Sequence, residues 1–288
     1  MRRKRISIGL LSTAINKKYR DQIEACSRTW VATAKKHDVD VYFFAGHQPY
    51  KDLLINLPET KEDVDSTLDK QFKGLKWLLD HSPSDFYLFA GTDNYINIPN
   101  LLNELNNHDP SKDLYIGAHG GTASILYKSI YFHSGGAGFI LSHPLLVKMF
   151  QIYTPELIKG LWTHICRERP ILVRACDVTI GFILQQMGIQ PTSIKNMYGC
   201  DFRGRVNSSS TPCGNSCNNI NLKDVITCHY VDPHMMTMLY EFYQINNRVK
   251  SEKSNESKLD NWTIITETDN ALIRSLNLNL IIYSDKES

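Results

Sequence analysis

Asp93, Asp177 and His229 are the side chains best placed for chemistry, because each closes or opens an apolar run. Asp93 follows the strand-like residues of DFYLFAGTDNYIN (Asp85 to Asn97). His229 ends the run from Asp224 to Cys228 in CHYVD, and Asp177 stands in CDVTIGF (Cys176 to Phe182). The carboxyl ends of buried strands are where an open α/β sheet exposes side chains to a ligand crevice. A carboxylate there suits a hard divalent cation, which completes its shell with substrate phosphates; Mn²⁺ also tolerates imidazole. Asp93 is thus a metal-ligand candidate, its plain counterpart being a loop Asp in an Asx-turn. His229 taken alone is a structural histidine at the place a second ligand would occupy. Asp177 opens a helix, and reads either as a general base or as an N-cap. The three together have the layout of a metal-assisted transfer site.

The elements that must carry these groups alternate. Ile6 to Leu11, Val39 to Phe44, Asp85 to Ala90 and Leu114 to Gly117 are short apolar runs bounded by polar residues or glycine, suited to strands buried on both faces. Leu68, Phe72, Leu75 and Leu79 recur at helical spacing, as do Ile23, Trp30 and Ala34. Asp177 to Met187 and His234 to Asn246 predict further helices, and Pro99 suits a helix start after the Asp93 loop. This order predicts an α/β fold with a doubly wound, mostly parallel sheet. Trp30 and Trp77 read as core. The small residues of SGGAGF (Ser134 to Phe139) let backbone approach a ligand closely, although a tight turn explains them equally well.

Composition narrows the function classes. With 288 residues and 42% hydrophobic content the chain can bury a sizeable core. A net charge of +2 leaves no strong electrostatic footprint, so nucleic acid or an anionic membrane is not implied as the main partner. MRRKR resembles the head of a signal sequence, but ISIGLL is shorter than a signal-peptide core of roughly 7 to 15 apolar residues and reads as the first strand. No transmembrane segment is expected. There are seven cysteines, of which Cys200, Cys213, Cys217 and Cys228 cluster in loop-like sequence; disulfides, free thiols and a structural zinc stay open. Sequons stand at Asn207, Asn255 and Asn261. NRVKSEKSNESKLDNW is polar and reads as a linker, and the tail ALIRSLNLNLIIYS carries no motif.

Several segments, in order, resemble the family 31 glycosyltransferases, the group of Fringe and the core 1 β1,3-galactosyltransferases. LLSTAINKKYRDQIEACSRTWVATAKKHDVDVYFFAG resembles the family's opening strand, helix and second strand. LDKQFKGLKWLLDHSPSDFYLF resembles the helix leading to the metal strand, and SGGAGFILS the glycine loop. CDVTIGFILQQMGI is close to the Fringe wording, and CHYVDPHMMTMLYEFYQIN to the core 1 enzymes. The resemblance implies a GT-A glycosyltransferase fold, Rossmann-like with helices on both faces, over residues 1–247, with 248–288 a polar linker and tail. It implies Asp93 and His229 as ligands of Mn²⁺ or Mg²⁺ and Asp177 as catalytic base. Thr13, Arg20 and Lys70 match nucleotide-pocket positions, Thr92 offers a hydroxyl to the donor, and the amides of Gly135 and Gly136 meet sugar or acceptor. Relatives carry an all-acidic triplet where this chain has Gly91, Thr92 and Asp93, and an acidic residue where it has Cys176.

The implied activity is inverting, metal-dependent transfer from a UDP-sugar donor to a hydroxyl of a glycan or glycoprotein acceptor. The linkage is β1,3, with galactose favoured and N-acetylglucosamine second. The alternative is a non-catalytic chaperone or binding protein with an eroded metal motif, as in a relative of the core 1 enzymes. A metal hydrolase would need more carboxylates. Relatives usually carry a Golgi anchor and stem, and neither is read in this sequence, so it is expected to be soluble as given and cytoplasmic, or in the Golgi lumen if an anchor was trimmed.

Overall fold

Strand β1 (Ile6–Leu11) shows why the sheet forms where it does. Ile6, Ile8 and Leu10 point to one face and are fully buried, while Ser7 and Gly9 point to the other. A Cβ on Gly9 would lie 2.7 Å from the Phe89 ring and 2.9 Å from Leu78, so glycine lets a helix close over the strand. A computed structural model describes residues 3–46, 50–63, 66–118, 120–168, 170–201 and 222–255.

After β1 come α1 (Lys17–Arg28), α2 (Trp30–Lys36), β2 (Asp40–Ala45), β3 (Leu54–Asn56), α3 (Thr67–His81), β4 (Phe86–Gly91), β5 (Tyr95–Ile96) and α4 (Ile98–Leu105). The middle of the chain forms β6 (Tyr115–Gly117), β7 (Gly121–Ile125), β8 (Lys128–Phe132), β9 (Phe139–Ser142), α5 (His143–Ile152) and α6 (Pro155–Ile165). Last come α7 (Cys176–Gln186), β10 (Pro191–Ser193), β11 (Met197–Asp201), β12 (Thr227–His229) and α8 (Pro233–Asn255).

The main sheet has the order β10-β6-β9-β4-β1-β2-β3. All neighbours are parallel except at β9, which runs antiparallel to both β4 and β6. One face packs Ile6, Ile8, Leu10, Phe86 and Leu88 against Ile23, Trp30, Leu101 and Met236, thus under α1, α2, α4 and α8. The other packs Phe44, Tyr87 and Phe89 against Phe72, Leu75, Leu145, Trp162 and Ile180, under α3, α5, α6 and α7.

Two smaller pieces complete the carboxyl side. The sheet β11-β12-β5 pairs Cys228 with Tyr95 and Thr227 with Ile96, and the Val231 N–H donates to Asp93 O at 2.9 Å. That pairing brings a segment distant in sequence against the end of β4. The hairpin β7–β8 turns at Leu126 and Tyr127, both with positive φ (49° and 62°).

The segment expected to be a linker begins as helix: α8 runs on to Asn255, since Arg, Lys and Glu in it are good helix formers. Asn207, Asn261, Cys213, Cys217 and the tail lie outside the described residues. Cys26, Cys166 and Cys176 are free thiols. Among the described residues no helix is long and apolar enough to cross a membrane.

Candidate active site

The carboxyl ends of β1 and β4 lie side by side, with Leu11 paired to Gly91 and the Thr92 N–H donating to Leu11 O at 3.3 Å. The loops after these strands, 12–15 and 91–94, therefore share one edge of the sheet. Asp93 sits in a tight turn closed by Asn94 N–H to Gly91 O at 3.3 Å. Its Oδ2 is 3.2 Å from His229 Nε2, with side-chain exposures of 32% and 15%. Burial works against the Asp93 carboxylate, but the hydrogen bond and charge of His229 together outweigh it and hold the carboxyl below its usual range.

The orientation of His229 is built in. Its Nδ1 lies 3.2 Å from the carbonyl of Gly199, which can only accept, so Nδ1 carries a hydrogen and Nε2 faces Asp93, to which it donates as long as no cation takes the place of that hydrogen. Tyr230, in a left-handed conformation at φ 58°, lays its ring 3.8 Å from the imidazole centroid. Gly136 gives the ring its seat, since a Cβ there would be 2.4 Å from His229 Nδ1. The pair fits a divalent cation: donors in adjacent positions of an octahedral ion, at 2.0–2.1 Å each, lie about 3 Å apart. A backbone-oriented imidazole is also the usual ligand arrangement. Among the described residues no group of three or more His, Cys, Asp or Glu gathers to hold an ion, so phosphate oxygens and water would complete the shell.

Asp177 lies in the first turn of α7, where Ala175 is the N-cap. Its Oδ2 accepts the Gly135 N–H at 3.1 Å and its Oδ1 accepts the Val178 N–H at 2.9 Å. Burial raises its carboxyl above the ordinary value, and the backbone hydrogen bonds offset this only in part. A Cβ on Gly135 would come within 2.9 Å of Asp177 Cβ. Gly135 thus touches Asp177, and Gly136 touches His229. One dipeptide separates the candidate base from the candidate metal ligand. The neighbouring Cys176 thiol is pushed up to about 12 by burial, so it places no second negative charge beside Asp177.

The nucleotide-pocket candidates gather on the loop after β1. Thr13 Oγ1 accepts the Ile15 N–H at 3.3 Å, Arg20 Nη1 donates to Ala14 O at 2.8 Å, and Lys70 Nζ donates to Ser12 O at 3.3 Å. Lys70 also pairs with Glu62 at 2.6 Å, with both side chains under 10% exposed. Thr92 is buried, and its hydroxyl donates to Gln22 Oε1 at 3.4 Å. Glu62, Gln22, Gly199 and Tyr230 escaped sequence reasoning; only Tyr230 carried a signal, its place beside His229. A separate groove of about 650 Å³ between α3 and α6, lined by Glu59, Lys73, Glu156 and Arg167, contains none of these residues.

A family model described as Fringe-like matches residues 6–247. The Fringe glycosyltransferase of Drosophila melanogaster is 24% identical over 202 residues, covering 64% of this chain and 47% of that protein. The chain thus spans about half the length of this relative. Among solved structures, the apo form of glycosyltransferase GlyE from Streptococcus pneumoniae TIGR4 superposes with a TM-score of 0.50 at 12% identity, over 88% of this chain and 64% of that one. The sheet order, the loops at the ends of β1 and β4 and this superposition make the fold GT-A. With the Fringe-like match over most of its length, the chain belongs to the Fringe-like glycosyltransferases of family 31.

Proposed function

We propose that the chain transfers a sugar from a UDP-sugar to a hydroxyl of a glycan or glycoprotein, with inversion and in β1,3 linkage; galactose is the favoured sugar and N-acetylglucosamine the second. The observation that carries this reading is the Gly135-Gly136 dipeptide, which holds Asp177 on one residue and His229, with Asp93, on the next. A base and an anion-binding pair held this close suit the two ends of a displacement: proton removal at the acceptor and charge stabilisation at the leaving group.

In the proposed reaction Asp177 takes the proton from the acceptor hydroxyl. The freed oxygen bonds to the anomeric carbon from the face opposite the leaving group, the bond to the UDP oxygen breaks, and UDP departs. Burial makes Asp177 a stronger base than an exposed aspartate, and its two backbone donors fix the carboxylate plane. Asp93 and His229 would hold Mn²⁺ or Mg²⁺, which when bound neutralises the departing diphosphate, an effect worth several kcal/mol. Arg20 and the loop of Thr13 offer the cation and backbone for the nucleotide, while Lys70 is tied to Glu62. The chaperone alternative draws on the altered triplet; all three reactive groups in mutual register speak for the enzyme.

The test is a screen of UDP-sugars with Mn²⁺ for UDP release in the presence of glycan acceptors. One donor is expected to give release, and Asp93→Ala to abolish transfer with the fold intact. A parent that binds UDP but releases it from no donor would favour the chaperone.

A further inference from the structure

The hairpin β7–β8 has no part in the steps above, yet it grows directly from the loop that holds the candidate base. Strand β8 ends at Phe132, and three residues later the Gly135 N–H reaches Asp177. Helix α7 lies along the same stretch. Asp177 contacts Gly135, and Gly181, one turn on, lies against Tyr131 and Phe132, where a Cβ would meet Tyr131 O at 2.7 Å. Gln185, one turn further, accepts the Tyr131 N–H at 3.2 Å and donates to Ser129 O at 3.0 Å. These positions share one helix face. The free edge of β8 is thereby capped, and its path is tied to the helix that carries Asp177.

The two faces of the hairpin differ. Ile125 and Ile130 are buried on the inner face. The outer face exposes Thr122, Ser124, Ser129 and Tyr131, with Tyr131 directly opposite Thr122, and carries no formal charge. Tyr131 is 50% exposed. An anionic nucleotide would find no cation there. A rigid amphipathic ring flanked by hydroxyls instead matches a neutral polyol, with apolar contact on the ring and adaptable hydrogen bonds around it. Tyr131 is four residues from Gly135, so the two backbones are at most about 14 Å apart, within reach of a ligand engaged at Asp177.

We propose that the outer face of the β7–β8 hairpin is a platform for a neutral oligosaccharide, the part of the acceptor beyond the attacked sugar, which stacks on Tyr131. The proposal rests on the transferase reading. It predicts that Tyr131→Ala raises KM for tri- and tetrasaccharide acceptors about tenfold, the loss of one exposed ring contact, with donor KM and UDP affinity unchanged. Tyr131→Phe, which keeps the ring, should retain most of the parent's affinity. Thr122→Arg, on an exposed position, should cover the ring and reproduce the defect. Unchanged KM for long acceptors in Tyr131→Ala and Thr122→Arg would overturn it.

A donor-free arm separates this proposal from the transferase reading: saturation-transfer NMR with neutral tri- and tetrasaccharides of glucose, galactose, mannose, xylose and N-acetylhexosamines. Signals present in the parent and lost in Tyr131→Ala support the platform even if no UDP-sugar is turned over. Absence of any signal in the parent overturns the platform even if sugar transfer is found. Binding to phosphatidylcholine vesicles that Leu126→Ser with Tyr127→Ser abolishes, without any loss of oligosaccharide signal in Tyr131→Ala, assigns the hairpin to a lipid surface and also overturns it.

Discussion

Glycine at 135 and glycine at 136 are required for different reasons, and the difference can be measured. Neither is required by backbone conformation, since neither has a positive φ. Gly135→Ala presses on Asp177, so it should lower kcat while metal-dependent UDP binding holds. Gly136→Ala presses on His229 and threatens the Nδ1 bond to Gly199 O, so it should weaken UDP binding in Mn²⁺ and leave metal-free binding alone. Calorimetry of UDP with and without Mn²⁺, beside steady-state kinetics, checks the split; identical defects in the two variants would mean that the loop simply collapses. Asp177→Asn keeps the size of the side chain and removes its basicity, so turnover should fall at least about 10²-fold with UDP affinity and melting temperature nearly kept. The pH dependence follows from the two carboxylates. The raised Asp177 holds its proton to higher pH in the folded than in the unfolded chain, so its ionised form costs stability above that pH. The acid limb of kcat/KM should accordingly lie above the ordinary carboxylate range and disappear in Asp177→Asn. Asp93 has the opposite sign: its stabilising contribution is present above an unfolded pKa of about 3.9 and is lost as pH falls through the lower folded value.

At the scale of elements, the turn after β4 explains the altered triplet. A Cβ on Gly91 would lie 2.7 Å from Asp93 Oδ1, and Thr92 is buried against α1, where Gln22 meets its hydroxyl and Cys26 Sγ donates to Thr92 O at 3.2 Å. Gly91→Asp is therefore expected to displace Asp93 and weaken metal-dependent UDP binding, even though it adds negative charge. Thr92→Asp would bury a carboxylate and lower the melting temperature by several degrees. Tighter Mn²⁺ binding in either variant, measured by calorimetry with UDP, would refute this packing argument. The same turn shows what is legible in sequence. Strands β1, β2, β4 and β6 stand out as apolar runs because both faces are covered, and the end of the β4 run marked Asp93, whereas Thr13 came from the family resemblance alone. The antiparallel β9 was legible only as the sequel to a glycine motif, because its direction is set by the chain returning between β4 and β6. The hairpin lacked its usual Asn-Gly or Gly-Gly signal, as Leu126 and Tyr127 occupy the positive-φ positions. Nothing local revealed that β12 pairs with β5, and so nothing local placed His229 against Asp93; the family resemblance supplied that. Asp177, whose plain counterpart in sequence is an N-cap, stands inside the first turn of α7, with Ala175 as the N-cap.

Across the whole molecule, the candidate site is assembled from four separate parts of the chain: the end of β4, the end of β12, the start of α7 and the loop before β9. They are anchored in both packing layers of the sheet, with β4 contributing to each. Asp177 rides on a helix of one apolar cluster, whereas β12 and α8 belong to the other. A ligand bridging them should stabilise the domain as a unit. With Asp93 and His229 as the two proposed metal ligands, Mn²⁺ alone or UDP alone is expected to bind weakly and the two together tightly, each completing the other's shell. Saturation to about 100 times Kd adds about 2.7 kcal/mol to the folded state. For a domain of this size each kcal/mol raises Tm by about 2 to 4 °C, so Mn²⁺ with UDP should raise it by roughly 5 to 10 °C. EDTA should reverse the shift, and Asp93→Ala should show almost none while unfolding in the same cooperative transition. Thermal melts under the four ligand conditions decide the matter: a full shift with UDP alone would remove the metal from the mechanism, and a shift retained in Asp93→Ala would move the ion away from the end of β4.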